Sequence, residues 1–215
     1  ETELESAPHH LIEVVELTES FDAATFVVMA GGAREKIELP IFCGGTGLYF
    51  KAWLEGLGES PGADEEIRTK LEGMETDELL RELQERDPAT YQVIDRQNKR
   101  RLVRAVEVIR LTGKPFSSQR AAWTDEAPPN FFVLQRRPED LRQHIDARAD
   151  QMFADGLVEE TRALLPALEQ NRTAQQALGY RQVIGHLRGE RDLPETIALV
   201  KSRTWQFARR QQTWF

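Results

Sequence analysis

Apolar positions recur at helical spacing over most of this chain, and two short runs break the pattern. The clearest stripe is Leu102, Ala105, Val106 and Ile109, which at steps of three and four residues share one helix face. Asn98 caps that helix, and Gly113 followed by Pro115 stops it. Upstream, Asp64 heads a helix with Glu65 and Glu66 in its first turn, and Thr76 heads another. Asp87-Pro88 reads as an N-cap followed by a first-turn proline. Downstream, Pro138 opens a helix with Leu141, Ile145 and Met152 on one face, closed by Asp155-Gly156. Residues 157–168 form the next, the segment from Gln176 to Arg181 leads into a third, and Pro194 starts the last.

The two exceptions read as strands. Glu38-Leu39-Pro40-Ile41-Phe42-Cys43 runs into Gly44-Gly45-Thr46-Gly47, after which residues 48–54 have helical composition. Strand, glycine turn and helix in that order is how an α/β fold presents backbone N–H groups to an anion. Asn130-Phe131-Phe132-Val133-Leu134, after the breaker Pro128-Pro129, is the second candidate. The pattern predicts a split α/β fold: a first core part at 1–62, an all-helical insertion at 63–125 and a second core part at 126–215.

Composition sharpens this picture. The chain has 215 residues, 40% hydrophobic and 30% charged, which gives one core, with or without an insertion, and excludes a disordered chain. No run approaches the roughly 18 apolar residues of a membrane span, and the first residues form no leader, so a soluble, cytoplasmic protein without membrane contact is expected. The single Cys43 excludes an intrachain disulfide framework, and histidines scattered at 9, 10, 144 and 186 argue against structural zinc. The net charge of -8 hides a division: residues 1–95 carry 7 Lys and Arg against 22 Asp and Glu, whereas residues 96–215 carry 21 against 14. Of those 21 cations 18 are arginine, the side chain that forks onto phosphates, although an arginine-rich, salt-bridged surface gives the same count.

Each candidate site has two readings on the residues alone. The 44–47 turn is a tight connection or a phosphate cradle. It is not a Walker A loop, and Thr46 places a hydroxyl where a strand's carboxyl end meets a helix start. Arg148, seven residues after Leu141, falls on the apolar face of its helix and is a snorkelling or paired cation, or a ligand for diphosphate. The cations from Arg96 to Arg104 are a solvated face, with Glu107 as an internal partner of Arg104, or an RNA phosphate track. Arg209 to Phe215 dock the last helix on the core or contact RNA by stacking.

Gly44-Gly45-Thr46-Gly47-Leu48-Tyr49-Phe50-Lys51-Ala52, Asn98 through Val108 with Leu111-Thr112-Gly113-Lys114-Pro115, Ala177-Leu178-Gly179-Tyr180-Arg181, and Arg209-Arg210-Gln211-Gln212-Thr213-Trp214-Phe215 together resemble the tRNA dimethylallyltransferase family, in order and over essentially the whole chain. The resemblance implies transfer of a dimethylallyl group from its diphosphate to N6 of adenosine 37, beside the tRNA anticodon, with release of pyrophosphate. It also implies a P-loop NTPase-like parallel-sheet core with nucleotide and ATP binding, Mg²⁺, an anticodon stem-loop as partner, and a monomer. Thr46 and Arg148 are then expected in the reaction channel. Thr46, Arg68, Arg100, Arg101, Leu102, Val103 and Arg104 are expected against the tRNA, with Gln176, Ala177, Leu178, Gly179, Tyr180 and Arg181 and the tail Arg209, Arg210, Gln211, Gln212, Thr213, Trp214 and Phe215.

One departure goes with it. The family's P-loop and its general-base aspartate should precede Glu1, so a longer natural chain is expected, and a chain without them should not catalyse transfer. Lys99 also replaces the proline of the family's Asn-Pro helix start. An adenylate isopentenyltransferase acting on free nucleotides and a non-catalytic RNA-binding fragment are the competing readings.

Overall fold

The computed structural model describes residues 7–124, 126, 128–171 and 173–215. Its backbone divides into two units, Lys51–Glu126 and the pair of segments Glu1–Phe50 with Ala127–Phe215.

Within Lys51–Glu126 the helices begin where capping chemistry places them. Helix α1 (Ala23–Arg34) and helix α2 (Gly47–Glu55) precede this unit or lead into it. Helix α3 (Glu65–Glu72) starts at Asp64, whose carboxylate accepts from the Ile67 N–H at 2.9 Å. Helix α4 (Thr76–Arg86) starts at the expected cap and not after it: Glu75 is the N-cap, and its N–H donates to the Glu78 carboxylate at 3.2 Å. Asp87 ends α4 and caps α5 (Pro88–Val93). Asn98 caps α6 (Lys99–Thr112), which stops at Gly113 with φ 72°, a left-handed conformation that favours glycine. The buried face of α6, Leu102, Val103, Ala105, Val106 and Ile109, packs with Leu71 of α3 and with Leu79 and Leu83 of α4. Burying each such leucine contributes about 1.5–3 kcal/mol.

Asp87 also anchors the short 3₁₀ turn Phe116–Ser118. Its nearly buried carboxylate accepts from the Thr90 N–H and hydroxyl at 3.1 and 2.6 Å and from the Ser117 N–H and hydroxyl, both at 2.8 Å. Burial raises its pKa, but those four hydrogen bonds favour the charged form and leave it below the usual aspartate value.

The other unit is also helical. Helix α7 (Pro138–Ala154) packs against α10 (Leu193–Trp214), and α9 (Tyr180–Leu187) packs against α8 (Leu157–Leu168) and α10. Ile145 and Ala149 of α7, Val183 and Ile184 of α9 and Val200 of α10 are buried in this unit. The Asn171 amide donates to the carbonyls of Leu17 and Glu19 at 2.9 and 2.8 Å, fastening the N-terminal segment to the second half of the chain.

The expected strands differ from what is observed. No strand forms among the described residues, and the single β-bridge joins Gly58 to Arg120. Glu38–Cys43 and Asn130–Leu134 are irregular, with Leu39 and Ile41 81% and 85% exposed and Phe132 and Leu134 84% and 97% exposed. A strand exists only beside a neighbour that takes its N–H and C=O groups, and neither segment has one among the described residues. No helix among the described residues is long and apolar enough to cross a membrane.

Candidate functional site

The glycine turn and the last helix, far apart in sequence, meet in one unit. The Thr46 carbonyl accepts from the Tyr49 and Phe50 N–H groups at 3.0 and 3.3 Å, so the turn feeds directly into α2. Gln211 Nε2 donates to the Gly45 carbonyl at 2.9 Å. A Cβ added at Gly47 would stand 2.5 Å from the indole of Trp214. The close approach of α10 therefore requires glycine at 47. Beside this contact the Phe50, Phe131 and Phe215 rings form a triangle with all three centroid separations at 5.8 Å. Thr46 is exposed, and its hydroxyl has no partner among the described residues.

Thr46 lines a cavity of about 940 Å³ whose wall includes Pro8, His10, Phe26, Phe42 and Tyr49. Phe26 and Tyr49 stack at 4.9 Å. Burial, and then the charge of Asp22, push the Tyr49 phenol upward, so it stays neutral and its ring serves as an apolar wall. Arg148 does not line this cavity. It is exposed on α7, where Ile145 and Ala149 supply the buried face instead of a stripe running through Arg148. Seven residues fall about 20° short of two whole helical turns, so Arg148 follows the half-buried Leu141 to the rim. Its guanidinium pairs with no carboxylate among the described residues.

Of the remaining tail, Arg209 and Gln212 are exposed, Arg210 lies 5.9 Å from the Phe207 ring, and the Thr213 hydroxyl donates to the Arg210 carbonyl at 2.8 Å. In the 176–181 segment Gln176, Ala177, Leu178 and Arg181 are exposed. Gly179 is buried at φ 96° and donates its N–H to Gln182 Oε1 at 2.9 Å. The Tyr180 hydroxyl donates to the Glu160 carboxylate, which together with burial pushes its pKa up to about 12.

The expected RNA track on α6 divides in two. Arg100 and Arg101 are exposed and have no side-chain partner among the described residues. Lys99 donates to the Met74 carbonyl at 2.7 Å, and Arg96 lies 4.2 Å from the Tyr91 ring centre. No acid occupies the first turn of α6, so Lys99, Arg100 and Arg101 oppose the helix dipole at its positive end, at about 0.3–1 kcal/mol each. An anion bound there would relieve that conflict.

Leu102 and Val103, expected against the tRNA, have their side chains in the packed helices. They are 0% and 3% exposed in the core, because the apolar face of α6 is wide enough to take both. Arg68 and Arg104 are ion-paired with Glu107 at 2.9 and 2.7 Å. Sequence reasoning placed Glu107 on the outer face, but its side chain is fully buried. An acid inside the otherwise apolar run Ala105 to Ile109 was the available signal.

The model of the IPP transferase family matches residues 1–215. A "tRNA dimethylallyltransferase 1" of Trichlorobacter lovleyi is 42% identical over 97% of this chain and 72% of its own length. The "tRNA dimethylallyltransferase" of Bifidobacterium animalis is 40% identical over 96% of this chain and 62% of its own. Among solved structures, the tRNA isopentenylpyrophosphate transferase of Bacillus halodurans superposes with a TM-score of 0.62 at 32% identity, covering 99% of this chain and 69% of that one. A eukaryotic dimethylallyltransferase acting on tRNA superposes with a TM-score of 0.75 at 26% identity, covering 98% and 56%.

Proposed function

The chain belongs to the IPP transferase family, and from that premise we propose that it modifies tRNA, moving a dimethylallyl group from its diphosphate to N6 of adenosine 37 beside the anticodon. In this reaction the allylic C1–O bond breaks, pyrophosphate leaves, C1 bonds to N6, and one N6 proton passes to a base. An allylic diphosphate ionises readily once its leaving group is neutralised, so cations and oriented donors matter more than a strong nucleophile. Held in line and out of its stack, the adenine then meets the cation at C1.

The observation that carries the reading is the meeting of the Gly44 to Gly47 turn with Gln211 and Trp214 at the rim of a cavity. It joins two of the sequence motifs that resemble the family at one place. Thr46, whose hydroxyl has no partner among the described residues, is proposed beside the reacting adenosine. Arg148, exposed and unpaired among the described residues, is proposed as a cation for the diphosphate. Mg²⁺ is proposed as a companion of the diphosphate oxygens. Arg100, Arg101, Arg181 and Arg209, exposed and unpaired among the described residues, are proposed as phosphate contacts to the anticodon stem-loop.

For the fold, we propose a P-loop NTPase-like parallel-sheet core to which Glu38–Cys43 and Asn130–Leu134, irregular here, would add strands once neighbours pair with them, with 63–125 as a helical tRNA-binding insertion. Exposed Leu39, Ile41, Phe132 and Leu134 are what strands lacking their neighbours would leave in water. A monomer working in the cytoplasm completes the proposal. The test, on the full natural chain, is turnover of dimethylallyl diphosphate with an anticodon stem-loop against AMP. Prenylated RNA in clear preference is expected, and a preference for AMP would replace this reading with a free-nucleotide transferase. RNA binding without transfer would leave an RNA-binding module.

A further inference from the structure

Glu107 stands in the apolar run of α6, and its side chain is 0% exposed. A buried carboxylate is unfavourable unless donors fill it. Here Oε1 accepts from the Asp64 N–H at 3.0 Å, and Oε2 accepts from Arg68 Nη2 at 2.9 Å and Arg104 Nη1 at 2.7 Å. The two arginines differ. Arg104 also donates to the carbonyls of Pro61 and Gly62, which commits it to the protein. Arg68 gives only Nη2 to Glu107, its side chain is 38% exposed, and its Nε and Nη1 have no partner among the described residues.

We propose that Glu107 is a positioning residue for tRNA binding, clamping one edge of the Arg68 guanidinium so that its free edge is oriented towards an RNA phosphate. This rests on the reading that Arg68 meets tRNA. The physical basis is preorganisation: a long side chain already held by one carboxylate oxygen loses less freedom when its other donors meet phosphate. Arg104, on the same oxygen, and the Asp64 N–H, on the other, fix the carboxylate itself. The buried acid is what makes an otherwise loose surface arginine rigid.

The proposal has a sign that simple electrostatics does not. Glu107→Gln removes a negative charge near RNA, which by charge alone tightens binding. The amide is also uncharged and keeps one acceptor oxygen, so the ionic hold on Arg68 is lost whichever way it turns, and its NH₂ faces either the two guanidinium donors or the Asp64 N–H. The test compares KM for tRNA, kcat and thermal unfolding in Glu107→Gln, Arg68→Ala and the double variant. The expected result is a KM raised about five-fold or more in each single variant, a much smaller change in kcat, and a double variant no worse than Arg68→Ala alone. Unchanged or lowered KM in Glu107→Gln, or losses that simply add, would overturn the proposal. An Arg68→Ala variant with unaltered KM would instead overturn the reading beneath it. Should Glu107→Gln not fold, Arg68→Lys decides: it keeps the charge but not the fork, so a KM close to that of Arg68→Ala is expected, and a near-native KM refutes positioning.

Discussion

Leu102 and Leu134 are the same side chain in segments that the sequence marks as apolar, yet Leu102 is 0% exposed and Leu134 97%. The difference lies in what each run needs from the rest of the chain. Helix α6 satisfies its own backbone internally and requires only α3 and α4 to cover one face. The Asn130–Leu134 run needs neighbours twice, once for its N–H and C=O groups and once for its side chains. Hydrophobicity alone marks both as interior. Only backbone accounting separates a segment that can bury itself with local partners from one that cannot.

The largest expected effect tests this directly. Leu102→Ala should lower stability by about 2–5 kcal/mol, because the methyl groups it removes leave a cavity between packed helices. Leu134→Ala should change it by less than about 0.5 kcal/mol. Urea unfolding of both variants reads the contrast, and equal losses would show that Leu134 is covered in solution and break the comparison.

A second contrast lies within the glycine turn. Gly47→Ala drives a methyl group into the Trp214 ring, with an expected loss of about 1–3 kcal/mol and a shifted tryptophan emission as the tail is displaced. Thr46→Ala, one residue earlier and exposed, should leave stability within about 0.5 kcal/mol while slowing prenyl transfer. Turnover equal to that of the unaltered protein would remove Thr46 from the site.

Next in size is the clamp at Asp87. Its folded pKa lies below the unfolded value, so its contribution is complete above the unfolded aspartate pKa, about 3.9. That contribution is lost as pH falls through the lower folded value. Asp87→Asn keeps the shape but turns two acceptor positions into donors facing Thr90 and Ser117. A loss of about 1–3 kcal/mol at neutral pH is expected, together with a flatter stability profile in acid. Thermal unfolding from pH 7 down to pH 3 measures both, and an unchanged acid slope would place the titrating group elsewhere.

What the sequence made legible follows the same division. Caps are local chemistry, and Asp64, Asp87 with Pro88, Asn98, Gly113 and Pro138 stand at helix ends as read. Thr76 is one residue off because Glu75 is a poor cap by type, and the Glu78 carboxylate accepts from its N–H instead. Helix α1 carried no expectation at all: Phe26, Val27 and Val28 give it no single apolar face, and Asp22 is its one clear signal. At the candidate site the glycine turn and the tail were each visible as motifs, but not that Gln211 reaches Gly45. Likewise the pairing of Glu107 with Arg104 was readable at three residues' spacing, whereas Arg68, 39 residues away, required the packing of α3 on α6.

The smallest effect on stability carries the sharpest functional contrast. Arg100 and Arg101 stand at the positive end of the α6 dipole with no carboxylate partner among the described residues. Replacing either by alanine should therefore leave stability unchanged or raise it by about 0.3–1 kcal/mol. tRNA affinity should move the other way: each lost phosphate contact weakens binding and reduces the slope of log K against log salt by up to about 0.9, or about 0.7 for single-stranded RNA. The two signs come from one cause, since cations that destabilise a helix end in the free protein are compensated when phosphate arrives. Binding titrations over a salt series, set beside unfolding curves for the same variants, measure both. A variant that loses stability, or that keeps the full salt slope, would place these arginines on an ordinary solvated face.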